Sequence, residues 1–357
     1  MDQLVSQLGD FRGRSVLITG HTGFKGSWLA LWLQMLGAKV HGFALEPLHE
    51  QDHFNVLGLE RLIEHQIGDV RDIGALRKAF ERSSPEFVFH LAAQPLVRQS
   101  YLDPKLTFDV NVGGSINVLE CVRNSLSVKS LVYVTSDKCY KNHEVSRPYI
   151  EADELGGHDP YSASKAAAEI VFTSYLKSYF GSQSNCGIGS VRAGNVIGGG
   201  DWSDDRIIPD CVRALNQGEP IKVRSPLSVR PWQHVLEPIA GYLQLASRLA
   251  KSPSRFSGSW NFGPAEYGSS NVITVVESVV KEWGVGSIDI SSATDDLHEA
   301  GLLHLDCAKA MAELDWRPQW QFARTIAETI AWYKAFSAGE DALKLSMAQI
   351  ALYEGGL

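Results

Sequence analysis

Ser15-Val16-Leu17-Ile18-Thr19-Gly20-His21-Thr22-Gly23-Phe24-Lys25-Gly26-Ser27 is the stretch whose reading decides the fold. Five residues of strand composition run straight into glycines spaced G-x-x-G-x-x-G, and the apolar residues 27–36 beyond them predict a helix. Without Cβ atoms, Gly20, Gly23 and Gly26 let the chain turn tightly and let a pyrophosphate approach the backbone amides. The helix start adds unpaired N–H groups and the positive end of its dipole. Such a turn between a strand and a helix reads as a dinucleotide site rather than a mere tight turn. Thr22, Phe24 and Lys25 within it are candidate cofactor contacts by position.

Further strand-length apolar runs occur at 38–43, 87–90 and 130–134, with helix-length segments at 73–82, 112–125 and 162–179. Strands buried on both faces and alternating with helices predict a doubly wound parallel α/β sheet, a Rossmann fold. Beyond Arg192 glycines and prolines crowd the chain, and Trp202, Trp232 and His234 appear among them. This texture predicts a smaller C-terminal lobe over the carboxyl edge of the sheet. We therefore expect residues 1–190 to form the nucleotide-binding domain, with 235–263 returning to it, and 191–357 to form mainly the substrate lobe.

The chain has 357 residues, and 33 basic against 41 acidic side chains give a net charge of −8, which argues against nucleic acid as a partner. Five cysteines without a C-x-x-C pair build neither a disulfide framework nor a metal site, and point to reduced thiols in a cytoplasmic protein. Met1-Asp2-Gln3 lacks the flank of a signal peptide, and the apolar stretch 28–36 is too short to span a bilayer.

An acid about 20 residues past the glycines would hold a ribose hydroxyl. Here Val40 to Leu45 contains none, and Glu46 lies just beyond, with no arginine for a 2′-phosphate. NAD is therefore expected over NADP. Gly68-Asp69-Val70-Arg71-Asp72 follows a third strand-like run, where Asp69 reads either as an adenine contact beside Val70 or as a solvated turn acid. His90-Leu91-Ala92-Ala93-Gln94 ends another strand. The small Ala92-Ala93 pair would let the backbone approach a nicotinamide ribose, with Leu91 beside it a further candidate cofactor contact, and His90 also reads as a satisfied core histidine.

Tyr161 and Lys165 open a predicted helix at a spacing that puts both on one face. A nearby ammonium favours phenolate, and such a phenol can take a hydroxyl proton while hydride leaves the same carbon. Ser136-Asp137-Lys138, at the end of the fourth strand, adds a hydroxyl, a carboxyl and an amine. Its alternative reading is a capped turn with a salt bridge. Cys139 reads as a packed thiol, since no histidine adjoins it.

These residues resemble the extended short-chain dehydrogenase/reductase superfamily, and within it the sugar-nucleotide 4,6-dehydratases. Four stretches bear the likeness: Phe11-Arg12-Gly13 leading into the glycine turn and Trp28; Thr135-Ser136-Asp137-Lys138-Cys139-Tyr140; the run from Arg192-Ala193-Gly194-Asn195 to Asp201-Trp202; and Arg230-Pro231-Trp232-Gln233-His234-Val235. It extends over nearly the whole chain, to His298-Glu299-Ala300 and Leu314-Asp315-Trp316-Arg317-Pro318. Most relatives carry Thr-Asp-Glu where this chain has Ser136-Asp137-Lys138. Lysine in the third place is a feature of the branch that acts on CDP-glucose, and it must lose its proton before it can act as a base.

The resemblance implies an NAD-dependent hydro-lyase that yields a 4-dehydro-6-deoxy sugar nucleotide and water in deoxysugar synthesis of the O-antigen type. Tyr161 with Lys165 would take the 4-hydroxyl proton, which Ser136 holds. Lys138 would abstract the C5 hydrogen, and Asp137 would protonate the departing C6 hydroxyl. Gln94, Asn195, Arg206 and Arg230 would meet the nucleotide sugar, with Trp232 and His234 as pocket walls; each arginine alone also reads as a surface ion pair. A homodimer or dimer of dimers is expected by analogy. A sugar-nucleotide 4-epimerase shares Tyr161 and Lys165 but has no use for an acid and a base at C6 and C5. A non-catalytic sensor of NAD redox state has no use for the pair at all.

Overall fold

The computed structural model describes residues 9–145, 147–181, 184–264, 270–290 and 303–355. Met1-Asp2-Gln3 and His298-Glu299-Ala300 lie outside them. The apolar runs become seven strands: β1 Ser15–Thr19, β2 Lys39–Ala44, β3 Glu64–Ile67, β4 Phe87–His90, β5 Ser130–Val134, β6 Gly187–Ala193 and β7 Gly258–Phe262. They pair in the order β7-β6-β5-β4-β1-β2-β3, every pair parallel. The order reverses between β1 and β4, so a crevice opens at their carboxyl ends, where open sheets of this kind bind ligands.

Side chains alternate between the faces of each strand, and each face has its own core. Val16 and Ile18 of β1 pack with helix α1, Phe24–Met35, while Leu17 between them faces the opposite cluster. That second cluster joins helices α2 Ile73–Ser83, α3 Ser115–Arg123 and α4 Pro160–Tyr179. α1 is apolar nearly all round, with Trp28, Leu29, Leu31, Trp32 and Leu33 at 0–1% exposure. A helix without a polar face must be covered on every side. The sheet covers one side, and the chain's last helix, Ala342–Glu354, the other; Trp32 Nε1 donates to Glu354 Oε1 at 2.7 Å. Trp28 Nε1 likewise donates to Gly199 O at 2.9 Å. Each large side chain so buried contributes ~1.5–3 kcal/mol.

The sequence predicts a start near Ser27 for α1, but the helix begins at Phe24 with Gly23 as its cap. Gly26 is thus inside the first turn, where a Cβ would sit 2.0 Å from Gly20 O. The expected helix 112–125 is also different. It is preceded by Pro104–Phe108 and a π-helical turn, Asp109–Gly114, before α3 proper. A π turn inserts one extra residue per turn and turns side chains outward from the regular helical face. Asn111 of that turn donates from Nδ2 to Gln94 O (3.1 Å) and to Ser164 Oγ (2.9 Å), tying it to α4.

After Ala193 the chain leaves the sheet. It forms helices Ile207–Gln217 and Val272–Trp283 and three two-residue ladders, including Val196–Ile197 beside Gln233–His234. Between these excursions it returns through helix α5, Leu236–Lys251, which packs on β5 and β6, and through β7 on the sheet edge. Among the described residues no helix is long and apolar enough to cross a membrane.

Candidate active site

Backbone geometry explains two of the three glycines. Gly20 has φ +79° and its Cβ would lie 2.6 Å from Ala92 N; Gly26 is pinned by Gly20 O. These two let β1, β4 and α1 meet. A Cβ on Gly23 would meet only Gly20 O, at 3.5 Å, so its smallness serves the open side of the turn. Thr22 Oγ1 donates to Leu45 O at 2.9 Å and pins the turn to β2. Phe24 packs against the core, and the half-buried Lys25 points toward the C-terminal lobe. Burial lowers the Lys25 ammonium to about 8, assisted by the Arg206 charge and opposed by Asp137 and Asp201.

Leu91, Ala92 and Ala93 line the end of β4, partly exposed, with Leu91 N–H donating to Thr19 O at 3.0 Å. His90 beneath them is a core histidine: its rings' nitrogens lie 2.7 Å from Thr19 Oγ1 and 2.9 Å from Ser115 Oγ, and burial lowers it to about 3. Asp69 is held in a fork by Arg71, with Nε 2.9 Å and Nη2 2.6 Å from Oδ2, which keeps its carboxyl below the usual range. It borders a cleft of about 590 Å³ with Asp72, Asp109, Gly113 and Asn117. Val70 is buried, and its carbonyl accepts from Asn117 Nδ2 at 2.9 Å.

At the end of β5, Ser136 Oγ donates to Asp137 Oδ1 (2.9 Å) and accepts from Lys138 N–H (3.2 Å), which caps the short helical turn Asp137–Cys139. Asp137 is buried; Lys138 is half-buried, and its ammonium makes no ion pair or hydrogen bond with another described residue. Cys139 is buried, and burial pushes its thiol well up. Asp159 caps α4 by accepting from Ser162 N–H at 3.0 Å, and Pro160 sets the first turn. Tyr161 and Lys165, 7% and 5% exposed, follow on the face turned to the Ser136 turn, which brings the Ser136 hydroxyl close enough to favour the ionised phenol.

The expected lowering of the phenol by its lysine is not what the protein by itself shows. Burial raises Tyr161 to about 12, and the Ser136 hydroxyl only partly opposes it. Lys165 is itself lowered to about 8, by burial first and the Lys25 charge second. A second cation near a buried ammonium disfavours its charged form, and Lys25 plays that part for Lys165.

Arg206 Nη1 pairs with Asp201 Oδ2 at 2.8 Å, and that charge raises its pKa. Asn195 is half-buried, with no side-chain hydrogen bond among the described residues. Arg230 is buried, with Nη1 donating to Val229 O at 3.0 Å. Trp232 Nε1 donates to Ser270 O at 3.1 Å. His234 corrects the sequence reading: it is 0% exposed, packed 4.7 Å from the Trp320 ring and 6.2 Å from Trp28, and lowered by burial to about 3. It is a core residue, because the ladder with Val196–Ile197 turns it inward. Gln94 is half-buried just past the end of β4. Its Nε2 donates to Leu96 O and to Thr107 Oγ1 of the helix Pro104–Phe108, and its Oε1 accepts from Leu96 N–H at 2.6 Å.

Sequence reading passes over a buried network beneath the site. Glu169, 0% exposed, pairs with Arg192 Nη2 at 2.6 Å and accepts from Thr135 Oγ1 (2.5 Å) and Ser190 Oγ (3.0 Å). Burial pushes its carboxyl up, but Arg192 and the hydroxyls outweigh that and the net shift is downward. The available signal was spacing: Glu169 stands four residues beyond Lys165, on the same helical face.

Residues 16–261 match the model of the NAD dependent epimerase/dehydratase family. The chain belongs to that family. It is 44% identical over 347 residues to CDP-glucose 4,6-dehydratase of Salmonella typhimurium (strain LT2), covering 96% of this chain and 97% of that one. Its fold is similar to that of epimerase Mth375 of Methanothermobacter thermautotrophicus (TM-score 0.79, 21% identity, covering 94% and 96% of the two chains). It is likewise similar to DesIV, a dTDP-glucose 4,6-dehydratase of Streptomyces venezuelae solved with NAD (TM-score 0.77, 23% identity, covering 92% and 99%). The residues present fit NAD: the glycine cradle holds no side chain on its open side, and the Lys165 ammonium has no hydrogen-bond partner among the described residues.

Proposed function

We propose that this chain converts CDP-glucose to CDP-4-dehydro-6-deoxy-glucose and water, in deoxysugar synthesis of the O-antigen type. The observation that carries the reading is the meeting of two chemical pairs in one crevice. Tyr161 and Lys165 suit oxidation at C4, while Asp137 and Lys138 suit an elimination across C5 and C6. The 44% identity to a CDP-glucose 4,6-dehydratase supports the substrate.

Bound in the glycine turn beside Lys165, NAD would supply the acceptor for the C4 hydride, its donor at C6 and a positive charge beside the phenol. Ser136 holds the 4-hydroxyl, and Tyr161 removes its proton. That phenol, at about 12 in the protein alone, needs the added charge to work near neutrality. Lys138, unpaired among the described residues, abstracts the C5 hydrogen that a C4 ketone acidifies. Asp137 gives its proton to the C6 oxygen, which leaves as water, and the Lys138 ammonium returns a proton to C5 as hydride reaches C6.

The glycine turn, Thr22 to Lys25, Asp69, Val70 and residues 91–93 hold the cofactor. Asn195, Arg206 and Arg230 hold the diphosphate, with Trp232 behind them. Residues 191–357 form mainly the sugar-nucleotide lobe, and residues 1–190 with 235–263 the cofactor domain. The protein works in the cytoplasm as a homodimer or dimer of dimers. Exposed Leu102, Phe108 and Ile170, on or beside α4, support pairing through that side.

The test is to offer purified protein CDP-, dTDP-, GDP- and UDP-glucose separately and weigh the products. Loss of one water from CDP-glucose, well ahead of the others, is expected. A product of unchanged mass and inverted C4 would overturn the reading in favour of an epimerase.

A further inference from the structure

The acid–base turn is bracketed by two residues with the same underlying partner. Thr135, just before Ser136-Asp137-Lys138-Cys139, donates to Glu169 Oε1. Tyr140, just after it, has its hydroxyl 2.8 Å from Arg192 Nη1 and donates onward to Asn261 Oδ1 at 2.8 Å. The Arg192 guanidinium also lies 4.8 Å from the centre of the Tyr140 ring. Glu169 and Arg192 are joined to each other, at 0% and 2% side-chain exposure. Glu169 rides on α4, eight residues beyond Tyr161 and four beyond Lys165. The two catalytic halves thus share one buried ion pair: the oxidation pair sits on the helix that carries its anion, and both ends of the elimination turn are bonded to its two charges.

Resting on the dehydratase reading, we propose that the Glu169–Arg192 pair, acting through Thr135 and Tyr140, is a positioning element that holds Asp137 and Lys138 in register with Tyr161. The Ser190 and Ser259 hydroxyls and the Glu151 carbonyl also bond the pair and restrain it from several sides, while Arg192 Nε is buried without a partner among the described residues. A rigid register matters because the same sugar must meet Tyr161 at C4 and then Lys138 and Asp137 at C5 and C6 without being released. An error of about 1 Å in such placement costs ~100-fold in rate. Loosening the turn alone therefore slows elimination more than oxidation.

The test uses Thr135→Val and Tyr140→Phe, which remove one hydroxyl each and leave the buried charges paired. Rapid mixing of the NAD-loaded protein with CDP-glucose reads oxidation as the absorbance of reduced nicotinamide, and product formation reads elimination. For either variant the expected result is a product rate reduced ~10-fold or more, oxidation slowed several times less, KM for CDP-glucose within about twofold, and reduced nicotinamide accumulating during turnover. The double variant should lose no more than the worse single one, since both act on one turn. Wild-type rates in both variants, or equal slowing of the two steps as expected from a general loss of folded protein, would overturn the proposal. A wild-type protein that neither reduces NAD nor forms product from CDP-glucose would instead sink the dehydratase reading, and this inference with it.

Discussion

At the scale of single residues, the proposed function divides the chemistry between Tyr161 and Lys138. In that reading, removing the phenol stops the cycle at its start, whereas removing the amine stops it after the sugar is oxidised. Tyr161→Phe should lower turnover ~100- to 10,000-fold with no reduced nicotinamide formed. Lys138→Ala should lower product formation by a similar factor while reduced nicotinamide accumulates, and exchange of the C5 hydrogen with solvent should cease. Stopped-flow absorbance and proton NMR of the sugar separate the two. Equal absorbance behaviour in both variants would contradict the division of labour. The sequence marks both residues as candidates by their places at a helix start and a strand end, and their division of labour comes from the resemblance to sugar-nucleotide dehydratases. The direction of their electrostatics was not legible there. The effect of a lysine on a phenol depends on burial, and Tyr161 is raised to about 12 because desolvation outweighs its neighbours.

At the scale of elements, the strand–turn–helix unit was legible from its glycines, but its boundary was misplaced by three residues. The cause is steric: Gly26 is needed inside the helix, against Gly20 O, and not ahead of it. The two positions therefore make different demands. Gly26→Ala puts a Cβ 2.0 Å from that oxygen and should destabilise the protein by about 1–3 kcal/mol, seen as a lower thermal midpoint even without NAD. Gly23→Ala meets nothing closer than 3.5 Å. It should leave the cofactor-free midpoint within ~0.5 kcal/mol of wild type but weaken NAD binding by calorimetry. A Gly23→Ala protein that keeps wild-type NAD affinity would contradict the assignment of the turn's open side. The π turn at Asp109–Gly114 left no comparable mark in the sequence. It is set by Asn111 bonding Gln94 and Ser164, contacts between segments far apart in the chain.

At the scale of the whole molecule, one buried carboxylate ties distant segments together. Glu237, in the first turn of α5, accepts from the N–H groups of Gln319 and Trp320 and from the Tyr353 hydroxyl at 2.7 Å. The seam between α5 and the chain's last helix therefore closes on one side chain. Its position in the sequence gives no hint of this, because its partners lie more than 80 residues away. Burial raises it to about 7, against the opposing pull of those donors. A free glutamate ionises near 4.3, so the fold binds a proton that the unfolded chain has released between the two values. This contribution to stability is whole below about pH 4, shrinks as the pH rises and is gone above about 7. Glu237→Gln, whose amide can donate to the Tyr353 oxygen, should flatten the dependence of the thermal midpoint on pH between about 5 and 8. A variant as pH-sensitive as wild type over that range would remove Glu237 from this role.

The central claim is that one crevice oxidises, eliminates and reduces the same sugar. CDP-glucose labelled with deuterium at C4 and turned over in ordinary water tests it most directly. The expected product has lost water, carries the label at C6 and has taken a solvent hydrogen at C5. A product that keeps its C6 oxygen, or one whose label has gone to the solvent, would contradict the account.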